Sequence, residues 1–173
     1  MKKAIVALMM IMCAATLFAA SWSQTIVLVS VVEEVRPHFG LEVAYVENGY
    51  AVGSGNEVSI HSLDIKKDTH AEINVRQGLS RFRGEMEVRI SVSELCCEGN
   101  HTSGLRISAN GTDTEGRLSR TIINGNVCIL NFFYSGKTLE ESTVANISVD
   151  YRGNENLPNG DYISYITMSY EVK

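Results

Sequence analysis

Proline is almost missing from this chain of 173 residues, which has only Pro37 and Pro158. No stretch after residue 24 sustains the 3.6-residue apolar period of a surface helix, so helix-based folds are excluded at the outset. Positive charge is also short, with 15 lysines and arginines against 20 aspartates and glutamates. An acidic chain of this kind has no electrostatic footprint for nucleic acid or for an anionic membrane surface. The motifs of the common catalytic classes are missing as well: there is no H-E-x-x-H, no G-x-S-x-G, no Walker loop and no G-x-G-x-x-G. The glycines of GYAVGSGN (residues 49–56) are followed by neither a helix nor a lysine, and they read as turn glycines.

Cysteine is sparse. Cys13 lies in the opening segment MKKAIVALMMIMCAATLFAASWSQ, where two lysines precede an apolar stretch from Ala4 to Ala20 and then small residues. This is the pattern of a secretory signal peptide over residues 1–23, with cleavage after Ser21 or Ser23. A membrane anchor is the bland alternative, but the stretch sits at the short limit for spanning. Met12 before Cys13 argues against a lipoprotein. Residues 24–173 are then a single domain, exported to the periplasm, the cell surface or the medium. No membrane span remains after cleavage. Two lysines leave with the signal, so thirteen basic residues face twenty acidic ones and the formal charge becomes −7.

Cys96, Cys97 and Cys128 remain. In an oxidising compartment an odd count allows one internal bridge and a leftover thiol. The expected bridge joins Cys96 or Cys97 to Cys128, closing a loop worth about 3–4 kcal/mol. Adjacent cysteines on a strand face opposite ways, so one of the pair stays unbridged or links chains.

What the chain has in plenty is period-two alternation. Met86, Val88, Ile90 and Val92 alternate with Glu85, Glu87, Arg89, Ser91 and Ser93. Ala71, Ile73 and Val75 do the same, as do Ala145, Ile147, Val149 and Tyr151. One face of each strand is core and the other is wet. VCILNFFY (residues 127–134) is apolar on both faces and reads as a central strand. Four Asn-Gly pairs, at 48–49, 110–111, 124–125 and 159–160, supply turn chemistry. Hairpins are expected at Asn124-Gly125 and Asn48-Gly49, and KTLEES (137–142) has room for one helical turn. Nine or ten short strands separated by turns specify an all-β, immunoglobulin-like antiparallel β-sandwich.

Candidate chemistry is thin. His38, His61, His70 and His101 are scattered without metal spacing, and Glu33-Glu34 and Glu140-Glu141 are neighbours that face apart on a strand. Neither cofactor nor metal is expected, and the chain reads as non-enzymatic.

The two ends carry a resemblance. TIVLVSVVEEV (25–35) is a long β-branched apolar run, R-P-H-F-G (36–40) follows it, and the chain closes on LPNGDYISYITMSYEVK (157–173). The ending L-P-x-G-x-Y with alternating apolar residues resembles the last strand of secreted pilin-type subunits of the spore coat protein U group. The resemblance implies a sandwich that lacks one strand and receives it from a neighbour. Ile26, Leu28, Val29, Val31 and Val32 would donate, beside a C-terminal edge strand carrying Tyr162, Tyr165, Ile166, Met168 and Tyr170. The expected function is an exported structural or adhesive subunit of the bacterial surface that associates with itself or with other surface subunits. A monomeric carbohydrate- or protein-binding sandwich is the alternative; it needs exposed aromatics on one face, with Tyr45, Tyr50, Tyr134, Tyr162 and Tyr165 as candidates. A small outer-membrane barrel is the third reading.

Overall fold

The computed structural model describes residues 34–112 and 117–173. The strands in chain order are β1 (Phe39–Glu47), β2 (Gly49–Ser54), β3 (Glu57–Ser62) and β4 (Thr69–Gln77). Next come β5 (Ser80–Val92), β6 (Cys96–Cys97), β7 (Asn100–His101) and β8 (Leu105–Gly111). The last four are β9 (Arg117–Asn124), β10 (Val127–Leu139), β11 (Ser142–Tyr151) and β12 (Tyr162–Val172). No helix forms among the described residues, and Lys137–Leu139 continue β10 instead of turning into one.

All pairings are antiparallel, and the strands make two sheets. One has the order β1-β4-β11-β8; the other runs β2-β3-β12-β5-β10-β9, with the short β6–β7 hairpin attached to the start of β12. The sheets stay separate, so the architecture is an antiparallel β-sandwich and the barrel reading falls. The alternation places the core as expected. Met86, Val88, Ile90 and Val92 of β5 face Ala71, Ile73 and Val75 of β4 and Ala145, Ile147 and Val149 of β11, all buried. VCILNFFY lies inside the larger sheet, between β5 and β9. Its Cys128, Leu130, Phe132 and Tyr134 point inward while Phe133 is exposed.

Two buried hydroxyls tie the sheets together. Tyr151 of β11 donates to Ser164 Oγ of β12 at 2.7 Å, and Ser164 passes its own proton to the Ser93 carbonyl at 2.7 Å. In the opposite sense, Tyr134 of β10 donates to Gln77 Oε1 of β4 at 2.7 Å. Burial drives both tyrosine pKa values upward, which keeps them as donors.

The Asn-Gly turns behave unequally. β9 and β10 form the expected hairpin, but Asn124 pairs with Val127, so the two-residue loop is Gly125-Asn126. Gly125, at φ 59°, takes the first loop position, where a left-handed conformation suits a tight hairpin. At Asn48 the chain also reverses, yet β1 and β2 part into different sheets and meet again only at a bridge between Leu41 and Gly55. Asn48 is itself left-handed at φ 53°, and its side-chain amide donates to the Asp64 carbonyl at 2.9 Å. It serves as a corner post between the sheets.

The C-terminal strand is not an edge. Tyr162–Thr167 pair with β3 on one side, while Ile166–Val172 pair with β5 on the other. The strand order of the larger sheet, which no local pattern encodes, places β12 second in from β2 and covers it within the chain. Of its residues, Tyr162, Ile166 and Met168 are core, Tyr170 is half-buried against Phe39, and Tyr165 faces solvent.

Asn48→Ala removes the amide and, with it, the local hydrogen bonding that lets asparagine tolerate left-handed backbone better than alanine does. It should destabilise the domain by about 1–3 kcal/mol in urea unfolding. Asn48→Gly, which keeps the backbone freedom, should cost less than the alanine variant.

Candidate functional site

The outer face of β2, β3 and the first half of β12 carries the most distinctive surface. Inward side chains on these strands are Ala51, Val58, Ile60, Tyr162, Ser164 and Ile166, and period two therefore sends their neighbours outward. In register, Tyr50 of β2 lies beside His61 of β3, and His61 beside Ile163 of β12. Ile163 pairs in turn with Cys96 of β6, and Cys96 with His101 of β7. The next row is Val52, Ser59 and Tyr165. Tyr50, Val52 and Tyr165 are 47%, 54% and 50% exposed, so three large apolar residues sit together in water.

Polar groups hold this face in shape. The Tyr50 ring stacks flat on His61, with centroids 4.6 Å apart and planes 10° from parallel. His61 is fixed by Asp161 at 3.3 Å on Nδ1 and by Ser59 Oγ at 3.2 Å on Nε2. Tyr165 is anchored by its backbone, which accepts from Ser93 N–H and donates to Ser93 Oγ, both at 2.9 Å. Of the five tyrosines that the sequence offered, Tyr50 and Tyr165 share this face. Tyr45 is exposed on the other sheet, and Tyr134 and Tyr162 are core. The register of non-consecutive strands brought two of them together, and no local signal in the sequence carries that register.

The cysteines do not bridge. Cys96, Cys97 and Cys128 are free thiols. Cys128 pairs with Ile90 and Ile90 with Met168, whereas Cys96 pairs with Ile163. The two positions are thus five residues apart along the strands and one strand apart across the sheet, since β6 follows β5 on the same flank of β12. That is about 16 Å by about 5 Å, far beyond disulfide reach. Cys128 is fully buried and burial pushes its pKa up to about 11, which makes it inert. Cys96 points out and Cys97 packs in beside Gly160, on a hairpin whose turn residues Glu98 and Gly99 are left-handed at φ 47° and 83°.

A second polar cluster lies on the outer face of the smaller sheet, beside an open cleft of about 570 Å³ lined by Asp68, His70, Arg106, Asp150, Tyr151 and Arg152. His70 Nδ1 contacts Asp150 Oδ1 at 2.7 Å, and Nε2 lies 3.6 Å from Glu72. Glu47 of β1 sits opposite in register, and the Tyr45 ring leans on the imidazole. The hydrogen bond to Asp150 raises the His70 pKa, against the opposing effect of partial burial. Among the described residues no group of three or more His, Cys, Asp or Glu side chains is placed to hold a metal ion. The donor residues Ile26, Leu28, Val29, Val31 and Val32 lie outside the described residues.

Two outcomes follow from this geometry. A thiol reagent should modify Cys96 first, and Cys128 only after unfolding; a reductant should leave the melting temperature unchanged. Because His70 has a raised pKa in the folded chain, its ion pairs stabilise fully below the unfolded value of about 6.5 and fade as pH rises through the folded one. His70→Gln should therefore cost more at pH 5.5 than at pH 9, by less than about 1 kcal/mol, as measured by urea unfolding at the two pH values.

No protein-family model matches this chain, and neither a curated protein nor a solved structure matches it.

Proposed function

We propose that the chain is an exported, non-enzymatic adhesive subunit of the bacterial cell surface that meets its partner through the outer face of β2, β3 and β12. The observation that carries this reading is the grouping of Tyr50, Val52 and Tyr165 in solvent on neighbouring strands of a sheet whose inner face is already filled. A large apolar group in water costs free energy, and on a rigid sheet face that cost is recovered on binding. The signal-like start of the chain supports export.

Assembly by strand donation is a second reading, favoured by one local observation. Val35 pairs with Arg81 at the start of β5, and Lys173 N–H donates to the Glu85 carbonyl a few residues on. Between them no described residue pairs with Phe82–Gly84 on that flank of β5, about 10 Å of strand. A segment of the length of 25–35 is longer than that stretch, and in this reading it is offered to a neighbouring copy. The acceptor in this reading is a different edge from β12, whose two sides are taken within the chain.

Cells that express the full chain should export and process it, expose it to added protease, and adhere to glycan- or protein-coated surfaces. The double variant Tyr50→Ser/Tyr165→Ser, with an unchanged melting temperature, should abolish that adhesion. An unprocessed cytoplasmic chain, or adhesion that survives the double variant, overturns the reading. Light scattering on the processed protein with and without residues 24–35 tests strand donation: multimers that vanish on truncation support it, and a monomer in both cases sinks it.

A further inference from the structure

We infer that the ligand of the tyrosine face is a neutral, extended glycan chain, with one sugar ring stacked on Tyr50 and another on Tyr165. The inference rests on the reading of that face as the contact surface. It is carried by three features: the spacing of the rings, the polar groups between them and the sign of the charge around them.

The spacing comes from the register. Tyr50 is level with Ile163, two strands away, and Tyr165 is two residues further along β12. Two strand spacings across and two residues along place the tyrosines about 12 Å apart. That suits alternate rings of a flat β-1,4-linked chain, which present the same face, with a bridging ring over His61 and Ser59 of β3. The ligand does not have to order the Tyr50 ring or the Tyr165 backbone. The Tyr50 ring is already stacked on an imidazole held at both nitrogens, and Tyr165 stands on a strand paired on both sides. Little side-chain entropy is lost at Tyr50 on contact.

The groups between and beside the tyrosines suit a polyol. Ser59, Thr167 and Asp161 give hydroxyl and carboxylate groups beside the rings. A pyranose has an apolar C–H face and polar hydroxyl edges, and this alternation of aromatic plane and small polar side chain matches it. A protein partner's apolar core would be served better by aliphatic residues at Ser59 and Thr167.

Charge decides which glycan. β2, β3 and β12 contain no lysine or arginine, while Glu57, Asp161 and, by the β6–β7 hairpin, Glu94 are acidic. An anionic polysaccharide would be repelled, since Arg89, opposite Ser169 on the neighbouring β5, is already engaged by Glu87, whereas neutral hydroxyls can donate to these carboxylates.

Isothermal titration of the processed full chain with β-1,4-linked gluco-oligosaccharides of one to six rings tests the inference, with polygalacturonate oligomers as the anionic control. Affinity should appear at three rings and longer. Tyr50→Ala and Tyr165→Ala should each weaken it about tenfold, the loss of roughly one stacking contact. Tyr45→Ala, on the other sheet, should change nothing, and all three variants should keep the parent melting temperature. Absence of binding to any neutral oligomer, a preference for polygalacturonate, or binding indifferent to both tyrosines overturns the inference. If the two tyrosine variants lose adhesion to protein-coated surfaces while no oligosaccharide binds, the ligand is a peptide surface: the glycan inference fails and the contact face stands. If adhesion also ignores the tyrosines, both fail.

Discussion

The position of β12 between β3 and β5 is the constraint on which the rest of this molecule depends. Its first half completes the pairing of β3, its second half completes that of β5, and the overlap at Ile166 and Thr167 joins two parts of the sheet that share no other ladder. Because Tyr162, Ser164, Ile166 and Met168 must face the core, Ile163, Tyr165 and Thr167 are committed to the outside. A slip of one residue would bury Tyr165 and expose Ile166. The tyrosine face is therefore a consequence of how the core is closed.

Polar groups inside the sandwich reinforce the same register. Ser164 both accepts from Tyr151 across the core and donates to Ser93 at the end of β5, so the two sheets and the start of β12 meet at one buried hydroxyl. Tyr134 and Gln77 make the reciprocal connection. An unpaired hydroxyl at any of these positions would carry the full cost of desolvation, so the links discriminate between registers that an apolar core alone would tolerate. This network, with burial of alternating aliphatic residues, holds the sheets together where no disulfide does.

The outer faces of the two sheets have diverged. The smaller sheet has histidine, carboxylates and arginines in cross-strand pairs such as His70 with Asp150 and Arg76 with Glu42, a solvated surface whose charges largely satisfy one another. The larger sheet, over β2, β3 and β12, has no basic residue and concentrates exposed aromatic area instead. That asymmetry leaves paired charge on one outer face and exposed aromatic area on the other.

Much of the fold could be read directly from the residues. Strict alternation in β4, β5 and β11 identified strands and their buried faces, because side-chain direction along a strand depends only on position. The hairpin at Gly125 was legible because its turn chemistry is local. Sheet order was not: Asn48-Gly49 looks like the same turn, yet it sends its strands into different sheets. The last strand was expected at an edge because of its resemblance to a pilin-type final strand, although in space β3 and β5 lie on either side. The same limit governed the cysteines and the tyrosines. Cys96 and Cys128 are compatible with a bridge by spacing alone, and Tyr50 and Tyr165 are 115 positions apart with no pattern relating them. The sequence by itself determined class, alternation and local turns, since these depend on neighbours in the chain. Only the tertiary structure decided which strands lie side by side, and hence which thiols stay apart and which aromatic rings share a face.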